Sequence, residues 1–444
     1  MTAARIRKDP NRSEIAWTCG ECGVNGGPGI EGPVYYPARG GVKKESVTEG
    51  HRPSELHLMR KTFLLLTILT AASGFGQTKS EALPNPSAAG SLQPNWSTTP
   101  DGSALMSWVE PSKTGSLNLR YAVLHGTKWT EPQTVATNRH FFRHPAEVPE
   151  VMQLSDKQWM AHWVEMPNES SEAEFVYVSS STDGMHWTPP VMAHKDRSQV
   201  EHGLASMAVS QNGEISLFWL ETPKGEDGPG YLMRTVVDAT GKEIKEERLD
   251  DDVCNCCPTA VTRTNKGLLV AYRDHTADDI RDIAVIRLEN GKWSPSKIVH
   301  ADNWKLNACP TNAAAVAAKG DRVAVAWYTS AANSPRVQIA FSTDAGATFG
   351  KPVVVSTGHA FGYTSLALDD QGNAVVSWLE QGGAPGTRVL ARSVSSAAAP
   401  GPVIQVAEGG RMALGYPRLF RSAAGTFIAW GNEKPKAQTA RLNP

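Results

Sequence analysis

Residues 101–111, Asp-Gly-Ser-Ala-Leu-Met-Ser-Trp-Val-Glu-Pro, place a tight turn before a short apolar run that ends on a large aromatic, and the chain repeats this phrase seven times. It returns as WMAHWVEM around Trp163, NGEISLFWLET around Trp219, KGLLVAYRDH around Tyr272, GDRVAVAWYTS around Trp327, QGNAVVSWLEQ around Trp378 and AGTFIAWGNE around Trp430. The aromatics are 55, 56, 53, 55, 51 and 52 residues apart. A period near 50 residues that carries turns and apolar runs of four to eight residues reads as a strand-built repeat.

Each unit holds further strand signals. An apolar stretch precedes the turn (Val261, Ala313 to Ala317, Leu366 to Leu368), a third strand follows the polar loop, and a fourth is introduced by an aromatic-x-x-Pro phrase. That phrase is Trp129-Thr130-Glu131-Pro132, Trp187-Thr188-Pro189-Pro190 and Phe349-Gly350-Lys351-Pro352. Four strands in each of seven units predict an all-β, seven-bladed β-propeller. The last unit, Tyr416 to Leu442, supplies three strands, so the segment Ala82-Leu83-Pro84-Asn85-Pro86 is expected to complete it and remove two sheet edges.

Composition agrees. The 444 residues carry 44 Lys and Arg against 45 Asp and Glu, a net charge of -1, which excludes a basic nucleic-acid binder. With Gly 39, Pro 29 and Trp 13 in a chain only 20% charged, turns and strands are favoured over long helices. The apolar run Phe63 to Ala72 follows Arg60 and Lys61 and is too short for a membrane span. It reads as the core of a signal peptide over 59–76 with cleavage before Gln77, which predicts export to the periplasm or the medium. Residues 1–58, with the CGEC run Cys19 to Cys22, read as an over-extended leader, and 77–444 as a single propeller, expected to be monomeric.

Two segments, Ser342-Thr343-Asp344-Ala345-Gly346-Ala347-Thr348-Phe349 and Ser181-Thr182-Asp183-Gly184-Met185-His186-Trp187, resemble the Asp-box or bacterial neuraminidase repeat, a hairpin turn in which Asp accepts backbone N–H groups and Gly takes φ > 0. Over 82–444 the chain resembles the secreted sialidase-like Asp-box propellers, and most closely a subgroup with a CxCC motif. The resemblance implies a glycan or small anionic ligand, no cofactor, and either exo-sialidase-type glycoside hydrolysis or glycan or protein binding without catalysis. It also brings a six-bladed alternative, since sialidases usually have six. Sialidase chemistry uses three arginines, a Tyr nucleophile with a Glu, and an Asp acid/base. Phe142-Arg143-His144-Pro145 is similar to the family's FRIP phrase, which would make Arg143 the first clamp arginine with His144 beside it. Where the family carries its Asp, this chain has Pro167-Asn168-Glu169-Ser170-Ser171-Glu172.

In a propeller the blade-to-blade loops and the loops between second and third strands share one face. Here that face collects Arg139 to His144, Gln199 to Gly203, Asp250 to Cys257, Asp302 to Cys309, Gly358 to Tyr363 and Arg411 to Tyr416, with Arg273-Asp274-His275 and Arg281-Asp282. The expected ligand-binding residues are Arg143, His144, His202, Arg273, Arg281 and Arg411; the expected acid/bases are Asp274 and Glu201, and the expected nucleophiles Tyr363 and Tyr416. Cys254, Cys256, Cys257 and Cys309 allow two disulfides in three pairings, with Cys257 and Cys309 at equivalent positions of adjacent blades. A copper or zinc thiolate site near His202, and a free reactive thiol, are the other readings of the same residues.

Overall fold

The structure is a computed structural model that describes residues 79–443 apart from 114, 169–170, 224–227, 384–385, 411–414 and 432–435. The leader, the signal segment and Arg411 therefore lie outside the described residues. Those described form seven antiparallel sheets, one per repeat, so the six-bladed alternative is corrected to seven. The first blade runs Leu92–Thr98, Ala104–Pro111 and Leu117–His125, with Lys128–Trp129 and Gln133–Arg139 both pairing onto its third strand. Blades 2 to 6 begin at Glu150, His202, Ala260, Ala315 and Ala360. No helix among the described residues is long and apolar enough to cross a membrane.

The repeated apolar phrase is the second strand of each blade, and it is buried along nearly its whole length: Ala104–Val109, Trp159–Val164, Ile215–Leu220, Leu268–Tyr272, Val323–Trp327, Ala374–Leu379 and Thr426–Trp430. Side chains alternate across a strand, so burial on both faces requires a neighbour on each side, and that explains a continuous apolar run in place of an alternating one. All seven repeat aromatics are buried. In three blades the indole N–H is satisfied by a glutamate two residues on: Trp108 donates to Glu110 at 2.6 Å, Trp163 to Glu165 and Trp378 to Glu380 at 3.0 Å. Each of those carboxylates faces an arginine, Arg120 at 3.5 Å, Arg139 at 2.5 Å and Arg388 at 3.3 Å. A buried polar triad thus recurs where a lone buried carboxylate would be costly.

The seventh sheet closes the ring. Its strands are Arg418–Ser422, Gly425–Trp430 and Gln438–Asn443, and its fourth is Lys79–Ala82, paired Ala82 to Ala440 and Lys79 to Asn443. The closing strand thus begins three residues before the expected Ala82 and ends four before the expected Pro86. The ladder ends with Leu83 N–H donating to Thr439 O, because Pro84 and Pro86 have no N–H to continue it.

Both Asp-boxes form the expected turns between third and fourth strands. Asp183 accepts the N–H groups of Met185 and His186 at 2.8 Å, and Asp344 accepts that of Thr348 at 2.9 Å. Gly184 has φ 76°, and a Cβ there would lie 2.5 Å from the Tyr121 hydroxyl, so only glycine fits. These turns lie on the face opposite the blade-to-blade loops, because successive antiparallel strands reverse direction. Deleting residues 77–83 reopens the edges of blade 7, and we expect a fall in Tm of at least about 5 °C; an unchanged melting curve in differential scanning calorimetry contradicts the closure.

Candidate functional site

The loops expected to share a face are tied to one another there. Single bridges join Phe141 to Glu165, Val253 to Asp274 and Ile280 to Lys305, each linking a blade-to-blade loop to the end of a second strand or the loop after it. On the opposite face a depression of 410 Å³ is lined by Gln211, Arg263, Asn265 and Lys319 among others, without a carboxylate.

The mouth has a floor. Tyr416, 3% exposed, packs with Ala146 and Ala313, with Tyr363 and Leu204 against them, so five blades meet at one apolar plug. Tyr363 and Tyr416 stand edge to face with ring centres 4.5 Å apart. The Tyr416 hydroxyl donates to Thr311 O at 2.5 Å and accepts the Ala313 N–H at 3.4 Å. Burial holds its pKa well above the usual tyrosine value. A phenol committed to backbone and shut from solvent is not placed to attack a substrate, which corrects the expectation for Tyr416. Burial likewise raises Tyr363, which sits at φ 55° on a bulge of its inner strand. Gln93 and Leu204 occupy matching bulges in blades 1 and 3 at φ 53° and 55°.

Arg273 is also turned inward. It is 1% exposed, donates to the carbonyls of Asn312 (3.1 Å), Arg281 (2.7 Å) and Tyr328 (2.9 Å), and stacks 5.0 Å over Trp304. Its guanidinium joins blade 4 to blade 5 and leaves no fork for a ligand carboxylate, a correction to the clamp reading. Arg281 is half-buried and donates to Leu306 O at 2.8 Å. Arg143 is exposed at the rim, and His144 stacks on Phe142 at 5.6 Å, its pKa lowered by burial.

Asp274 differs from these. It is half-buried at the head of the blade 4 loop, and burial, followed by the charge of Asp250 and that of Asp252, raises its pKa to about 7. Around it, Tyr272 donates to Asp250 at 2.5 Å, and His275 lies 2.5 Å from Asp252 and 3.3 Å from Asp279. A carboxyl that changes charge near neutrality, beside an imidazole held by two carboxylates, can give and take protons at the mouth.

A second acidic group lines the seam between blades 2 and 3. Glu201 accepts from the Thr222 hydroxyl at 3.1 Å. His202 is fully buried, stacked 4.1 Å from His194, with Nδ1 3.0 Å from Glu174 O. Asp196, His202 and Glu221 bring ligand atoms within 4.8 Å of one another, as do Cys254, Cys256 and Cys257; these are the groups with metal-ligand chemistry among the described residues. Sequence reasoning missed Glu147 and Glu174, both buried. Their carboxylates flank Gly203, where a Cβ would meet Glu174 Oε2 at 2.5 Å and Glu147 Oε2 at 3.3 Å. Glu147 accepts the Leu204 N–H and so holds the blade 3 bulge. The signal that selected Glu201, a carboxylate just ahead of an inner strand, selects Glu147 equally.

Burial lifts Glu147 to about 8 against weaker lowering by the Leu204 and Ala205 N–H groups, and lifts Glu174 well above its usual value with the charges of Glu201 and Glu147 adding. The native state thus keeps a proton on Glu147 that the unfolded chain releases above its ordinary value of 4.5, so stability falls as pH rises between 4.5 and about 8. Glu147→Gln keeps an acceptor for Leu204 and abolishes that slope. We expect its Tm to exceed the wild type by several degrees at a pH above 8 and to match it near pH 4.5; equal melting at both pH values contradicts the assignment.

The cysteines are paired differently from the equivalence of Cys257 and Cys309. One disulfide joins Cys256 to Cys309, with Cα atoms 6.0 Å apart, and Cys254 and Cys257 are free and buried. The neighbouring position wins because Cys257 points into the core beside Cys254, at an Sγ separation of 3.1 Å, whereas Cys309 is exposed.

A family model for the BNR repeat-like domain matches residues 115–428. The chain belongs to this BNR repeat-like family. No curated protein matches it by sequence. Among solved structures, the BP39L lectin of Burkholderia pseudomallei superposes on this BNR propeller with a TM-score of 0.56 at 12% identity, over 79% of this chain and 96% of the lectin. An ulvan lyase of polysaccharide lyase family PL25, bound to a -[GlcA(1-4)Rha3S]- saccharide, superposes with a TM-score of 0.51 at 10% identity, over 82% of this chain and 96% of the lyase. At these identities both likenesses speak to the fold.

Proposed function

We propose that this BNR propeller is an exported, monomeric glycan-engaging protein whose ligand enters the mouth framed by the blade-to-blade loops, with Asp274 as the proton-exchanging group there. The observation that carries the reading is the acidic cluster around Asp274, half-buried and titrating at about 7 on the face where the blade-to-blade loops converge. The -[GlcA(1-4)Rha3S]- saccharide bound to the ulvan lyase accords with the ligand class. Arg143, exposed at the rim, is a cation available to an anionic sugar. If the protein turns its ligand over, Asp274 supplies acid/base catalysis and Tyr416 is not the nucleophile, since its hydroxyl is occupied by Thr311 and Ala313.

The ionisation of Asp274 sets the pH dependence. Below about 7 it is neutral and tolerates a carboxylate or sulfate nearby; above that it is anionic and repels one. We expect affinity for an acidic oligosaccharide, measured by calorimetry, to fall severalfold between pH 6 and pH 8 in the wild type and to stay flat in Asp274→Asn. Equal pH profiles for both proteins remove Asp274 from the site. A fluorogenic panel of a sialoside and other glycosides separates the two modes: hydrolysis lost in Asp274→Asn marks an enzyme, and saturable binding without turnover marks a binding module. Mass spectrometry of the exported chain should find Gln77 at its N-terminus.

The same placement distinguishes Tyr416 from a nucleophile. Tyr416→Phe keeps the floor and loses the two backbone hydrogen bonds, so stability drops by about 1 kcal/mol while binding and any turnover persist. Abolished turnover at wild-type affinity contradicts this.

A further inference from the structure

The four cysteines form a chain of sulfur atoms leading inward from solvent. Exposed Cys309 is bonded to half-buried Cys256; Cys254 Sγ lies 3.7 Å from Cys256 Sγ and 3.1 Å from Cys257 Sγ; and the inner two residues are each 1% exposed. Bond and free dithiol are thus in contact, and two arginines stand beside them. We propose that these residues are a thiol–disulfide exchange site that passes a disulfide between the outer pair, Cys256 and Cys309, and the inner pair, Cys254 and Cys257, with an external small-molecule disulfide as its oxidising substrate.

The steps balance without another reagent. Cys254, as thiolate, attacks Cys256 Sγ; the Cys254–Cys256 bond forms and Cys309 leaves as a thiolate into solvent. Cys257 then attacks Cys254 Sγ, the Cys254–Cys257 bond forms, and Cys256 leaves. The two protons of the inner pair end on the outer pair, and no electrons are gained or lost. Exposed Cys309 next attacks the external disulfide, releasing one thiol, and Cys256 resolves the mixed disulfide, releasing the second. In sum, the inner dithiol is oxidised and the external disulfide is reduced.

The electrostatics favour this direction. Burial, which alone raises the Cys254 thiol, is outweighed by the hydrogen bond with Cys257 and by Arg281 and Arg273, which bring it down to about 6. Cys257, raised well above its usual value by burial, keeps its proton until the second step. Cys309, the first leaving group, departs at the exposed end.

The test uses oxidised glutathione as the disulfide and the native, unreduced chain. Wild type should release about two equivalents of glutathione and then show Cys254–Cys257 together with Cys256–Cys309 on peptide mapping. Cys254→Ser should release none while melting as the wild type does, and Cys257→Ser should stop at a mixed disulfide on Cys309. No release from the wild type, equal release from Cys254→Ser, or release that occurs only in denaturant overturns the proposal.

Discussion

Everything in this molecule depends on burying both faces of one strand in each sheet. A second strand such as Ala374–Gln381 has no solvent side: Val376 and Trp378 face blade 5, while Val375 and Leu379 face blade 7. No blade can bury its own apolar run, so each is stable only between two neighbours, and the ring must close. Closure falls to four residues, Lys79–Ala82, which pair with the last strand. The same constraint explains the Trp-x-Glu pairs: an indole buried on both sides needs an acceptor within the blade, and the glutamate that provides it needs its own arginine.

This constraint is why the fold was legible. Seven aromatics at near-equal spacing mark seven doubly buried strands, because burial and strand length are local properties that composition records. The start of the closing strand was placed three residues late, since its apolar content is slight and its end is set by Pro84 and Pro86. Among the repeat tryptophans the Trp-x-Glu phrase stands at Trp108, Trp163, Trp219 and Trp378, but it forms the polar triad in only three of them, since Trp219 donates to the Thr235 hydroxyl at 3.0 Å.

The site was legible as a face and not as a set of side-chain directions. Loop topology assigns Arg273, Asp274 and Tyr416 to the mouth. Which of them point to solvent depends on packing between blades, which no local pattern records. Arg273 is drawn inward by the carbonyls of Asn312 and Tyr328, from the next blade, and Tyr416 by Thr311 and Ala313, more than 100 residues away. The cysteine pairing failed for a similar reason: adjacent residues project to opposite sides, so Cys257 faces the core while Cys256 reaches Cys309. What remains at the mouth is an apolar plug shared by five blades, with Asp274 raised by burial to about 7 and Glu147 to about 8.

The central claim is that ligand binds at the mouth, against Asp274. A crystal of this protein soaked with a uronic-acid oligosaccharide tests it most directly. The account predicts density at the mouth framed by the blade-to-blade loops, with an acidic or hydroxyl group of the sugar in hydrogen-bond contact with Asp274. Sugar seated instead in the depression of the opposite face, against Arg263 and Lys319, would contradict it.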